Sequence, residues 1–357
     1  MSIASPSGSE GPLAEHLVDA MRGLCREAYV DEVGNAIGRW GDGGVHVWLL
    51  GHIDTVPGRI DVRSSDGVLH VRGTVDAKCS FCAFIAAVDR LACAVEGALS
   101  DRLTLTLIGA VGEEAPGSVG ATHAVEALPR PDLVVIGEPS GWEALTLGYK
   151  GTLQVELLAS QASRHSSVDE PTAAERVIEA YNAIRSSVDR YGGALGQGAA
   201  RAQFDLLQLR VLDVSASDDG LQQRAHARLG FRLPPGADIG SLSAALADRA
   251  ATVGVECRAV PGAVAAHRSG KDGPLQSAFR SAIRAAGGTP LHKLKTGTSD
   301  MNVVASAWRS RDGVVPPMVA YGPGDSSLDH TPEERLSLQE YLTAVFVLER
   351  ALASLAG

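Results

Sequence analysis

The stretch Val45-His46-Val47-Trp48-Leu49-Leu50-Gly51-His52-Ile53-Asp54 is a compact apolar run that breaks at a glycine and ends on a histidine and a carboxylate. Such a run predicts a strand buried on both faces, as in a mostly parallel sheet. Two further runs, 103–111 and 133–136, lead in the same way into Gly112-Glu113-Glu114 and Gly137-Glu138. A fourth strand is expected at 318–321. Apolar spacing predicts helices over 13–26, 77–91 and 337–355, and the Gly34-Asn35 turn predicts a strand pair within 29–39. Strands alternating with helices specify an α/β layer fold. Open sheets of this kind bind ligands beyond the carboxyl ends of their strands.

The middle of the chain has another pattern. Residues 151–157 and 225–233 alternate, as half-exposed antiparallel strands do, and 255–260 reads as a third strand. Helices are expected over 170–188 and 239–253, and 192–200 reads as a Gly/Ala-rich loop. This is a small α+β unit inserted into the larger α/β domain. The expected division is 1–148 and 267–357 for the larger domain and 149–266 for the insertion.

A chain of 357 residues is long for one core and comfortable for two domains. With 45% hydrophobic and 21% charged residues, it has the composition of a globular protein. Its net charge of −10 comes without any basic run, which argues against a nucleic-acid partner. Residues 1–10 lack the basic and apolar regions of a signal peptide, and no apolar stretch is long enough to cross a bilayer. A cytoplasmic location is expected, with Cys25, Cys79, Cys82, Cys93 and Cys257 as free thiols.

Five stretches carry potential metal ligands, and each is expected to end a strand. They are Gly51-His52-Ile53-Asp54, Thr74-Val75-Asp76-Ala77-Lys78, Gly112-Glu113-Glu114-Ala115, Ile136-Gly137-Glu138-Pro139 and Leu328-Asp329-His330-Thr331-Pro332. Two histidines and several carboxylates suit two divalent transition metals, zinc first. Such a pair polarises an amide carbonyl and makes a nucleophile of water near neutral pH. His52 and Asp54 share one side of an extended segment, so Asp54 can orient the imidazole. A polar pair at a strand end is the alternative. Glu113 and Glu114 point different ways, so one can bind metal while the other takes a proton; a solvated acidic turn is the alternative. Asp76 reads either as a helix N-cap or as a bridging ligand. Glu138 and His330 are ambiguous taken singly, and the combination carries the argument.

These motifs resemble the M20 group of dinuclear zinc peptidases and deacylases, over nearly the whole chain. The resemblance implies that His52 binds one metal, Asp76 bridges both and Glu138 completes the first site. It further implies that Glu114 and His330 hold the second metal, Glu113 is the general base and Asp54 the orienting carboxylate. The insertion resembles the family's lid and dimerisation domain, which implies a homodimer. Arg164-His165-Ser166-Ser167 resembles the lid motif whose histidine, here His165, stabilises the tetrahedral oxyanion. Arg232 matches a lid arginine that grips a substrate carboxylate, and the loop with Lys295, Thr298 and Ser299 matches a substrate-binding segment. Two Zn2+ per subunit are implied, and Co2+ suits the same ligands.

Four segments, 137–142, 147–151, 295–302 and 322–332, resemble one branch more closely. That branch hydrolyses amino-group-carrier-protein conjugates, freeing lysine or ornithine from the γ-carboxyl of the carrier's C-terminal glutamate. The implied partner is an acidic carrier protein, in lysine or arginine biosynthesis or a related carrier-dependent pathway. A small-molecule deacylase, such as an acetylornithine deacetylase, and a non-catalytic carrier-binding protein are the competing readings. One departure is Cys79-Ser80-Phe81-Cys82, where the family has glycine and then a small residue or proline. This Cys-x-x-Cys pair invites redox or zinc readings.

Overall fold

The computed structural model describes residues 1–94, 99–165, 167–194 and 203–357. The first part of the chain forms α1 (Gly11–Arg22), β1 (Glu27–Val30), β2 (Ala36–Trp40), β3 (Val45–His52), β4 (Arg63–Ser65), β5 (Val68–His70) and α2 (Lys78–Ala94). It continues as β6 (Leu103–Ala110), α3 (Val119–Ala127), β7 (Leu133–Gly137) and β8 (Ala144–Tyr149). The middle forms β9 (Gly151–Ala162), α4 (Ala173–Ala194), β10 (Gln208–Asp218), β11 (Gln222–Leu233), α5 (Ile239–Ala251) and β12 (Glu256–Val264). The last part forms β13 (His267–Arg268), α6 (Pro274–Ala285), β14 (Leu291–Lys295), α7 (Asp300–Asp312), β15 (Met318–Ala320), β16 (Arg335–Ser337) and α8 (Leu338–Leu355).

Two compact units result. One comprises 1–148, 268–294 and 299–357; the other comprises 149–267 and 295–298. The larger unit is α/β and is built on a nine-stranded sheet in the order β1-β2-β6-β3-β7-β15-β8-β13, with β14 beside β8. Its centre is parallel: β6, β7 and β15 run with β3, while at one margin β2 pairs antiparallel with β6 and β1 antiparallel with β2. Every residue of β6 and β7 is buried, as their unbroken apolar sequences require of strands covered on both faces.

The strand ends are glycine-rich for a steric reason. A Cβ on Gly137 would lie 2.9 Å from the Phe84 ring, and one on Gly109 would lie 3.0 Å from Phe81. Glycine therefore lets α2 pack directly over the carboxyl ends of β3, β6 and β7. On α7, Trp308 packs against Trp48 of β3 at 5.3 Å between ring centroids, fixing this helix to the strand that ends in His52.

The smaller unit is a four-stranded antiparallel sheet, β10-β11-β9-β12. Apolar residues of β9 and β11, including Leu153, Val155, Leu157, Leu229 and Phe231, pack with Val177 and Ile184 of α4. The expected three strands become four because β10 adds an edge whose residues from Arg210 to Asp218 are exposed. The expected loop at 192–200 is helical through Ala194, and its remainder lies outside the described residues. Among the described residues no helix is long and apolar enough to cross a membrane.

Candidate metal centre

His52 is the last residue of β3, so the strand runs one residue beyond its expected break at Gly51. The side chain is 1% exposed. Its Nδ1 faces the Asp54 carbonyl at 3.1 Å and Asp54 Oδ1 at 3.3 Å, both acceptors. That nitrogen therefore carries a proton, which leaves Nε2, facing Asp76, as the nitrogen a metal would take. The Asp54 carboxylate is itself fixed by three donors besides His52: the Ser7 hydroxyl at 2.7 Å, the Glu113 N–H at 3.1 Å and the Glu114 N–H at 3.0 Å. One buried carboxylate thus ties the end of β3 to the turn after β6.

Asp76 faces two imidazoles, one with each oxygen. Oδ1 lies 3.2 Å from His52 Nε2, and Oδ2 lies 2.9 Å from His330 Nε2. His330 Nε2 also lies 2.8 Å from Glu114 Oε1. Single ligand atoms of His52, Asp76 and Glu114 all fall within 4.8 Å of one another. Donors around one tetrahedral zinc stand about 3.3 Å apart, from zinc–ligand bonds of about 2.0–2.2 Å. The spacing and the N/O chemistry both fit a divalent metal, and Asp76 stands between the two imidazoles. Glu138 follows β7 directly, is 7% exposed and lies within electrostatic reach of Glu113.

The charges support the same conclusion. Burial disfavours charge on His52, yet hydrogen bonds to Asp54 and Asp76 and the field of Glu113 hold its imidazole well above the ordinary range. Burial pushes Asp76 up, but His330 and His52 outweigh it and hold this carboxyl far below the usual range. Hydrogen bonds to Asp76 and Glu114 raise His330 to about 10. Burial raises Glu113 well above its ordinary value; His52 opposes this, and the charges of Asp300, Glu138 and Asp76 add to it. A buried excess of carboxylates over imidazoles is costly without a compensating cation.

Two of the five ligand stretches differ from expectation. Asp76 follows β5 through a run of turns, and His330 lies in a loop with a positive φ of 62°; neither ends a strand. Sequence reasoning also missed Ser7 and Asp300. Asp300 opens α7, is 2% exposed, and burial brings its carboxyl to about 7 with the charge of Asp54 adding to the rise. The expected substrate contact Ser299 is 1% exposed and caps α7, its hydroxyl accepting from the Met301 N–H in a capping box with Asn302. The Ser-x-x-Asn spacing was a readable signal for this cap.

In the smaller unit, Arg232 Nη1 donates to Thr298 Oγ1 at 2.8 Å, and that hydroxyl donates to the Lys150 carbonyl at 3.0 Å. Lys295 Nζ lies over the Tyr149 ring, 5.8 Å from its centroid. Arg232 of β11, Lys295 of β14 and Thr298 of the loop that follows are therefore gathered around the start of β9. His165 is exposed, with Nδ1 held by the Ser167 hydroxyl at 2.8 Å; Ser166 lies outside the described residues. Cys79 and Cys82 are free, and burial holds both thiols protonated, which disfavours the redox and zinc readings.

A His/carboxylate cluster beyond the carboxyl ends of a parallel sheet is the kind of site a metal-dependent hydrolase uses. Residues 48–354 match the family described as Peptidase family M20/M25/M40. The chain is 47% identical to a LysW-lysine hydrolase of Deinococcus radiodurans, covering 100% of this chain and 95% of the relative. It is 38% identical to a putative LysW-lysine/LysW-ornithine hydrolase of Thermococcus kodakarensis, covering 100% and 90%. Its fold is similar to that of an M20 family metallo-carboxypeptidase from Sulfolobus solfataricus, with a TM-score of 0.76, 18% identity and coverage of 99% and 96%. The chain belongs to peptidase family M20/M25/M40 and is a metallo-hydrolase.

Proposed function

We propose that this enzyme hydrolyses the amide joining lysine, or ornithine, to the γ-carboxyl of the C-terminal glutamate of an amino-group carrier protein, in lysine or arginine biosynthesis. The observation that carries this reading is the 47% identity, across the whole chain, to a LysW-lysine hydrolase. In this reading His52, Asp76 and Glu138 hold one metal, and Asp76, Glu114 and His330 hold a second. Two divalent ions there, zinc or cobalt, supply Lewis acidity and lower the pKa of water.

The chain's own residues do the rest. Asp54 fixes the His52 tautomer and the backbone of Glu113 and Glu114. Glu113 accepts a proton from the attacking water, whose oxygen bonds to the amide carbon. The C–N bond then breaks, and Glu113 returns the proton to the departing α-amine. His165 stabilises the oxyanion through Nε2, since Ser167 occupies Nδ1. Arg232 and Thr298 bind a substrate carboxylate, with Lys295 beside them.

Mass spectrometry of carrier-γ-glutamyl-lysine, carrier-γ-glutamyl-ornithine, N-acetylornithine and succinyl-diaminopimelate, each incubated with enzyme and zinc or cobalt, tests the substrate. Loss of lysine or ornithine mass from the carrier is expected. Cleavage of the small acyl amino acids alone would move the enzyme to the deacylase branch. Binding of carrier without cleavage would support a non-catalytic role.

The same reading includes a homodimer formed through the smaller unit. Its support is the open edge strand β10, where Val211, Leu212 and Val214 are 46%, 51% and 64% exposed. A long apolar edge is a pairing surface. Light scattering is expected to report twice the chain mass; a monomer at micromolar concentration would contradict it. We place the enzyme in the cytoplasm, consistent with its five free cysteines; a native disulfide found by mass spectrometry would argue against this.

A further inference from the structure

Glu334 lies in the same loop as His330 and takes no part in the chemistry above. Its side chain is fully buried. Oε1 accepts from three backbone N–H groups, those of Gly73 at 2.8 Å, Val75 at 2.9 Å and Asp76 at 3.2 Å. Oε2 accepts from Arg72 Nη1 at 2.9 Å. Three N–H groups saturate Oε1, and the Arg72 guanidinium holds Oε2, so the carboxylate is committed to this segment.

The donors come from one short segment, 72–76, which has no strand or helix of its own. Its N–H groups therefore lack ladder partners, and burial makes such partners obligatory. Glu334 supplies them across 258 to 262 positions of chain. Arg72 closes the arrangement from the other side. Besides Glu334 it donates to the carbonyls of Thr331 at 3.1 Å and Gly58 at 3.1 Å. The carbonyl of Thr331, the residue after His330, is thus pinned to the segment that delivers Asp76. His330 itself adopts φ 62°, a backbone state that a non-glycine residue keeps only when its surroundings hold it.

We infer that Glu334 is a positioning residue that locks the Asp76 segment to the His330 loop and so sets the spacing between a bridging ligand and a ligand of the second metal. This rests on the dinuclear reading given above. The relation is indirect: the side chain touches the backbone that carries the ligands, never the ligand atoms. It also explains why a charged group is buried here, since four matched donors offset its desolvation.

The test measures metal binding as well as turnover. Metal-free wild type and Glu334→Gln are titrated with zinc against a chromogenic chelator, and bound metal is counted by mass spectrometry. Glutamine keeps one acceptor for the backbone donors but turns an NH2 toward Arg72. The expected result is a 10- to 100-fold weaker second metal, roughly the effect of losing an outer-shell partner, with the first metal held within about 3-fold of wild type and turnover restored by saturating zinc. Circular dichroism of the metal-free proteins reports folding. If Glu334→Gln does not fold, Arg72→Lys decides the matter: it keeps the charge but loses the fork that reaches Glu334, Thr331 and Gly58 together, and the same site should weaken. A folded variant that takes up two metals with wild-type affinities would overturn the inference. A wild type that takes up only one metal would instead overturn the dinuclear reading.

Discussion

Glu113→Gln is expected to keep its metals and its fold and to lose about 10²- to 10⁴-fold in kcat, the range spanned by positioned general bases. Glutamine has the same shape but cannot accept a proton. The group of ligand atoms formed by His52, Asp76 and Glu114 does not include Glu113, so metal content should stay at the wild-type level. The backbone contact is also preserved, because Asp54 is held by the Glu113 N–H and not by its side chain. Steady-state turnover of a carrier conjugate, with metal counted on the same sample, separates the two effects. Full activity in the variant would remove Glu113 from the reaction, and loss of metal would reassign it as a ligand.

Asp76→Ala is expected to abolish activity through a different cause, the loss of both metals. The two Asp76 oxygens face His52 and His330 separately, so one substitution takes a ligand from each position. His52 would keep Asp54 as its partner, while His330 would keep only Glu114. Metal counted after desalting should fall from two per chain to fewer than one. Asp76→Asn keeps one ligating oxygen and should retain an intermediate amount. Two metals per chain in the alanine variant, bound as tightly as in wild type, would show that Asp76 does not bridge.

The sheet was legible because its central strands are locally distinctive. The runs ending at His52, Glu113 and Glu138 are apolar on both faces, and only a covered strand tolerates that sequence. The alternation in β9 and β11 likewise marked the second unit. The edge strand β10 was missed because a bulge between Val211 and Asp213 breaks the alternation of its apolar residues. The helices α3, α6 and α7 were also missed. In α7, the cap residue Ser299 was read as a substrate contact although its partner Asn302 stands three residues on.

Candidate ligands could be read from residue type, and for His52, Glu113, Glu114 and Glu138 also from position after a buried strand, because a strand's end lies where its apolar run stops. Ligand geometry could not. Asp76 and His330 sit on segments without regular structure, held by contacts such as Glu334 with Gly73 and Arg72 that join residues about 260 positions apart. Local pattern carries no trace of such pairs, since hydrogen bonds across the fold depend on which loops the packed sheet and helices bring together. The chain's own order thus specified the central strands and the kinds of atom that could bind metal. The folded packing alone decided which of those atoms face one another, and at what distance.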